Sequence, residues 1–181
     1  MPAAQEHVPG RRADARRVAQ IAVFAALAVV VRRFLTPPIS GLNLGGFPLV
    51  MSGLVIGPVS GAWVGAISDL VGAQLAPHGS YDPVYTCTAM LTAAVPALML
   101  RGMRETWVPR LPSLMASMLV GQVLTKCAII PLYQQYLTGV PFAIATAKAF
   151  GVQLLHVPIY AILAQQILRA LPPGDERRAA V

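Results

Sequence analysis

Residues 45–72 read GGFPLVMSGLVIGPVSGAWVGAISDLVG. This stretch decides the fold. It is apolar enough to lie in lipid, and it is punctuated by glycines at 53, 57, 61 and 65 that let helices pack closely. It carries one acid, Asp69. At 29 residues from Phe47 to Leu75 the apolar block is too long for one vertical span and too short for two. Gly57-Pro58 divides it, predicting a short helix over about 47–57 and a second over 58–75.

The surrounding composition agrees. Of 181 residues, 56% are hydrophobic and 12% charged, against about 25% charged in a soluble domain. A chain of this length cannot hide so much apolar surface inside itself, which makes the bilayer its solvent. The net charge is +7. The cations do not form one patch, as nucleic-acid binding would require; they gather at helix ends and serve as topology signals. Cys87 and Cys127 fall inside apolar segments, too far apart for a metal motif or a disulfide framework.

Residues 1–14 are polar and rich in Pro, Ala and Arg, which predicts a disordered cytoplasmic N-terminus. Helix 1 is expected over about 15–35 and ends at Thr36-Pro37-Pro38. Further helices are expected over about 84–101, 111–136 and 142–170, with a charged cytoplasmic tail over 171–181. The result is an all-α integral membrane protein of six transmembrane helices, with the binding domain over 15–170. Arg11, Arg12, Arg16, Arg17, Arg101, Arg104, Arg110, Arg169, Arg177 and Arg178 share one side. The positive-inside rule therefore places both termini in the cytoplasm. Arg32 and Arg33 fall on the other side, where topology does not account for them.

Charged groups inside spans are expensive, about 2.5–3.5 kcal/mol at mid-helix, and usually functional. Counting about 1.5 Å per residue puts Arg33, Asp69, Lys126 and Lys148 at similar depth in the outer leaflet, on four different helices. Three cations and one acid predict a polar cavity open to the outside that suits an anionic or carboxylate-bearing ligand. A structural Asp69–lysine bridge would account for only two of the four. Tyr85 and Gln122, with Gln134, Gln153 and Asn43, can add neutral hydrogen bonds. His156 reads as a packed, hydrogen-bonded group. No nucleophile–base pair, phosphate loop, nucleotide motif or metal-spaced cluster is visible, so neither catalysis nor a cofactor is expected.

Helix 1 carries Ala15 and Ala19, then Ala22 and Ala26, a small-xxx-small pattern that strips one face of bulk. This face predicts close approach of another helix, from this chain or from a partner.

Four stretches together resemble the substrate-binding S components of energy-coupling factor (ECF) transporters, in particular the folate group. They are Arg33-Phe34-Leu35; Gly46-Phe47-Pro48 through Gly53, Gly57-Pro58 and Ser68-Asp69-Leu70-Val71-Gly72; Pro77-His78-Gly79-Ser80-Tyr81 with Pro83 and Thr86; and Lys148 ten residues before Pro158. The resemblance implies a multi-pass protein of the bacterial plasma membrane with six helices that binds folate or a related vitamin near the outer face. It implies docking on a transmembrane coupling protein through the Ala15, Ala19, Ala22 and Ala26 face, with two cytosolic ATPases driving transport. It also implies that the subunit topples in the membrane to release its cargo. Two positions depart from the folate group: Thr125-Lys126-Cys127-Ala128 stands where an Asn-Thr-x-Trp-like stretch is usual, and Lys148 where arginine is usual. Lysine holds a carboxylate as a point charge and arginine as a planar fork. The departures leave room for another vitamin or a queuosine-type precursor. A self-sufficient secondary transporter of a small anionic metabolite is the competing reading, although no internal repeat is evident.

Overall fold

The structure is a computed structural model. It describes residues 9–34, 44–75 and 81–171, with side chains from 14 onward and without those of 33 and 34. The described residues form six helical rods: α1 (Pro9–Phe34), α2 (Phe47–Ile56), α3 (Pro58–Leu75), α4 (Pro83–Gly102), α5 (Leu111–Thr138) and α6 (Phe142–Ala170). A single 3-10 turn, Leu44–Gly46, leads into α2. Of the rods, α4, α5 and α6 are each long and apolar enough to cross a bilayer. The expected boundaries differ mainly at the start of α1. The helix begins at Pro9, so residues 9–14, expected to be disordered, are helical.

Local chemistry sets the other ends. The Asp82 side chain accepts from the Val84 N–H at 2.9 Å, with Pro83 preorganising the first turn of α4. Gly139, at φ 70°, closes α5 with a bond from its N–H to the Gln135 carbonyl. Gly57, at φ 93°, turns the chain between α2 and α3.

One of the long rods is not uniform. α5 is α-helical over Leu111–Gln122 and Ile130–Thr138 but π-helical over Val123–Ile129. The Ile130 N–H reaches back five residues to the Thr125 carbonyl. Pro131 follows and has no N–H to give to the Cys127 carbonyl four residues back. In lipid an unsatisfied carbonyl costs several kcal/mol. The Thr146 hydroxyl of α6 donates to Cys127 at 3.0 Å. The loosened turn, and Lys126 with it, is thereby tied to α6.

Glycines bring α2, α3 and α4 together. A Cβ built on Gly53 would fall 1.9 Å from the Ala93 carbonyl oxygen, one on Gly61 2.6 Å from the Gly53 Cα, and one on Gly65 2.6 Å from the Ala89 carbonyl oxygen. Backbones approach here as only glycine allows. Two buried clusters fill the remaining space. Ala25, Ala28, Leu49, Val64 and Ala93 join α1–α4, while Val50, Leu54, Leu100, Leu114, Met118 and Leu168 join α2, α4, α5 and α6.

The 103–110 loop sits against the C-terminal end of α6. Trp107 Nε1 donates to the Leu168 and Leu171 carbonyls, and Gln165 Nε2 to the Pro109 carbonyl. From the first turn of α5 the Ser113 hydroxyl donates to the Glu105 carboxylate of the loop and holds it below the usual carboxylate range. Arg101, Arg104, Arg110 and Arg169 thus share one end of the bundle, and the positive-inside rule makes that end cytoplasmic.

Gly65→Val is expected to destabilise the bundle by about 1–3 kcal/mol through overpacking against α4. Gly72→Ala, facing open space, should leave the melting temperature in detergent unchanged or slightly raised. Equal melting temperatures for Gly65→Val and the wild type would contradict this packing.

Candidate functional site

Opposite the arginine-rich end, the bundle encloses a cavity of about 230 Å³. Six elements build it, α2 through Leu49. α1 supplies Arg32; the turn before α2 supplies Gly45 and Gly46; α4 supplies Tyr85, Thr88 and Thr92; α5 supplies Gln122 and Lys126; α6 supplies Gln153, His156 and Tyr160. On α4, α5 and α6 the polar residues recur three or four apart, so each helix turns one polar stripe inward.

Chain direction ranks them by depth. Running away from the cytoplasmic end, α5 passes Gln122 and then, about 6 Å farther out, Lys126. α6 runs the opposite way, passing Gln153, His156 and then Tyr160. Gln122 and Tyr160 therefore lie at the closed end with Thr92 and Gly46. A Cβ on Gly46 would be 3.5 Å from the Tyr160 hydroxyl and 4.0 Å from Gln122 Nε2. Arg32, whose side chain is 55% exposed, marks the mouth.

Arg32 is not loose there. Its Nη1 lies 3.1 Å from Oδ1 of Asp69, which is buried on α3. Oδ2 of Asp69 accepts from the Thr86 hydroxyl at 2.8 Å. Thr86 has one hydroxyl hydrogen, spent on Asp69, so the Tyr81 hydroxyl donates in turn to Thr86 at 2.8 Å. The chain Tyr81–Thr86–Asp69–Arg32 runs across three helices and fixes the guanidinium over the cavity. Lys126 has Arg32 and Asp69 as its charged neighbours. Two cations against one carboxylate leave the mouth formally one charge positive.

The closed end has the opposite character. Thr88 and Thr92 give their hydroxyl hydrogens to the Tyr85 and Thr88 carbonyls, at 2.8 and 2.7 Å, leaving oxygen lone pairs for the cavity. Nδ1 of His156 lies 2.9 Å from the Val152 carbonyl and, since a carbonyl only accepts, donates to it. The backbone amides of Gly46 and Phe47 hydrogen-bond the Tyr160 hydroxyl. Its ring stands edge-on to Phe47 and His156, with centroids 5.4 and 5.7 Å away. Tyr85 packs edge-on against Tyr133.

Of the ligand-binding residues expected from sequence, Tyr85, Gln122 and Lys126 line the cavity. Asp69 stands behind it, in contact with Arg32. Lys148 is exposed and outside the lining, one helical turn beyond Val152 toward the outer end of α6. The side chain of Arg33 lies outside the described residues, and it is Arg32 that reaches the cavity. Its place was legible in the register of α1: Ala25, Ala28 and Arg32 are spaced as one helical face, and the two alanines are buried. His156 is packed as expected, yet it also lines the cavity, as do Thr88, Thr92 and Tyr160. The signal for these was the polar stripe within an apolar span. Ala15, Ala19, Ala22 and Ala26 are all exposed on α1. No group of three or more potential metal ligands occurs among the described residues.

The model of the ECF-type riboflavin transporter S component family matches residues 12–172. The chain belongs to this family. It is a family of multi-pass plasma-membrane transport subunits rather than an enzyme family. Among characterised relatives, the folate transporter FolT of Clostridium novyi is 28% identical over 145 residues, covering 79% of this chain and 82% of that protein. The crystal structure of a FolT bound with folic acid superposes with a TM-score of 0.70 at 23% identity, covering 87% of this chain and 95% of that one. The all-helical S-component fold is thereby established for this S component.

Asp69→Asn should leave Arg32 poorly held and lower affinity for an anionic ligand about tenfold, with smaller loss of stability. Titration of the purified variant measures both, and unaltered affinity would place Asp69 outside the binding machinery.

Proposed function

We propose that this S component binds folate at the outer side of the membrane and hands it to a transmembrane coupling protein driven by two ATPases. One observation carries the choice of ligand: Arg32 and Lys126 stand together at the cavity mouth. Folate ends in a glutamate with two carboxylates, and a paired-cation mouth offers them charge-assisted hydrogen bonds. Riboflavin, which gives the matched family its description, has no ionised group to meet those cations. The named relatives, both FolT proteins, support the same choice. The cavity is somewhat smaller than the roughly 300–1,000 Å³ of most small-molecule sites. It accommodates a fused-ring head and leaves the benzoyl-glutamate part at the mouth.

Asp69 acts in this reading as the positioning residue for Arg32, and Tyr85 and Gln122 contribute hydrogen bonds. Lys148 would influence the ligand only from outside the cavity. Ala15, Ala19, Ala22 and Ala26 form the docking face for the coupling protein. Their exposure supports this, because the bulk-free side of α1 is open while Ala25 and Ala28 serve the fold. A self-sufficient carrier finds no support in family membership.

Lys126→Met is expected to weaken folate binding about 10- to 100-fold, the loss of a charge-assisted contact, whereas Lys148→Ala should leave it within about twofold. Calorimetric titration in detergent decides this; the reverse ranking would refute the proposed site. Ala22→Trp with Ala26→Trp should preserve binding and abolish uptake in cells carrying the coupling protein and ATPases. Normal uptake by that double variant would remove α1 as the docking face.

A further inference from the structure

The loop between α4 and α5, at the cytoplasmic end, carries two arginines in places that local structure disfavours. Arg104 has φ 52°, in the left-handed region. It closes α4 in a paired turn: its N–H bonds to the Arg101 carbonyl at 3.1 Å, and the Glu105 N–H bonds to the Leu100 carbonyl at 3.2 Å. Glycine fits this position without strain, and Arg104 is the one non-glycine residue of positive φ among the described residues. Arg110 stands at the N-cap of α5 and makes no side-chain cap bond. Ser, Thr, Asp or Asn would cap that end, and the helix dipole disfavours a cation there. The positive-inside rule asks only for charge on this side. Arg101 and Arg169, in the last turns of α4 and α6, supply it and complement their helix dipoles. Nothing in that rule asks for arginine at a left-handed turn or at an N-cap, and unfavourable placements that persist point to function.

The surroundings define the ligand. All four arginines are exposed. The acid of the loop, Glu105, is engaged by the Ser113 hydroxyl and by the Arg110 N–H. Four exposed cations are thus set against one occupied carboxylate. Trp107 fixes their depth, because its Nε1 ties the loop to carbonyls at the C-terminal end of α6. A partly buried indole at the end of a spanning helix lies at headgroup level. Met103 and Leu171, exposed and apolar, flank the cations in sequence. Guanidinium groups at headgroup depth with apolar side chains next to them suit an amphiphile with an anionic head.

We infer that residues 101–110 with Arg169 form a binding site for the phosphodiester headgroup of an anionic lipid of the cytoplasmic leaflet, with Arg104 and Arg110 as its specific contacts. A guanidinium fork meets two phosphate oxygens at once. The bound phosphate offsets the unfavourable placement of both arginines. The site lies at the opposite end of the bundle from the cavity and does not depend on which ligand the cavity holds.

The test uses the full chain in a neutral maltoside detergent. The probe is dioleoyl-phosphatidylglycerol, with dioleoyl-phosphatidylcholine and inorganic phosphate as comparisons. Arg104→Gly relieves the left-handed backbone and Arg110→Ser supplies a cap, so the double variant should melt at or above the wild-type temperature in detergent alone. Its affinity for phosphatidylglycerol, titrated by native mass spectrometry, should fall about 10- to 30-fold. Arginines with a merely structural role would give the reverse pattern, a lower melting temperature with unchanged lipid affinity; that outcome overturns the inference. Equal affinity of the wild type for the two lipids overturns it too. So does equal thermal stabilisation by inorganic phosphate, which marks a site for soluble anions. A double variant that holds phosphatidylglycerol as the wild type does, but no longer co-purifies with the coupling protein, assigns the arginines to that partner and refutes the lipid site. Should the double variant not fold, Arg104→Asn, which also accepts the left-handed backbone, is read by the same criteria.

Discussion

A carboxylate inside a bundle of membrane helices needs partners, and Asp69 has two. Arg32 reaches it from α1 and Thr86 from α4. Removing either leaves a buried acidic group short of hydrogen bonds, and an unsatisfied buried polar group costs about 1–3 kcal/mol. The rest of the site depends on this knot. It anchors the outer end of α1 to α3 and α4, and it holds a half-exposed guanidinium at the rim of the cavity. It also offsets part of the charge that Arg32 and Lys126 would otherwise concentrate there.

Two further constraints shape the cavity around that anchor. Glycines at 53, 61 and 65 draw α2, α3 and α4 into backbone contact, so this half of the bundle is dense. The other half is loosened where Pro131 interrupts the hydrogen bonding of α5 and a π-helical turn forms between Gln122 and Ile130. Thr146 satisfies the Cys127 carbonyl and ties the loosened turn to α6. π-Helical turns recur at functional sites. Here the turn begins directly after Gln122, a neutral group at the closed end, and contains Lys126, the cation at the mouth. The cavity is therefore polarised along its length, and polarity along a length suits a ligand whose two ends differ.

Much of the fold was legible in the sequence because lipid imposes few solutions. Apolar blocks of bilayer length become helices, and Gly57-Pro58, Pro83 and Gly139-Val140-Pro141 mark their ends. α6 runs from Phe142 to Ala170 as expected. The site was less legible, because depth along a helix is easier to count than direction around it. Counting depth singled out Lys126 and Asp69, and it also selected Arg33 and Lys148. The side chain of Arg33 lies outside the described residues, and Arg32 reaches the cavity on the face it shares with Ala25 and Ala28. Lys148 is one turn too far out. Thr88, Thr92 and Tyr160 carry no charge and drew no notice, although their helical spacing marks the lining. The π-helical turn follows from Pro131 only once Thr146 is seen to supply the missing donor, a contact between helices that sequence does not place.

The account's central claim is that a cationic mouth selects a folate over the neutral riboflavin of the family description. The most direct measurement is native mass spectrometry, with an absorption spectrum, of the protein purified from cells supplied with both vitamins. Co-purified folate, with no flavin absorption in the visible range, is the predicted result. Stoichiometric riboflavin in the cavity would contradict the claim.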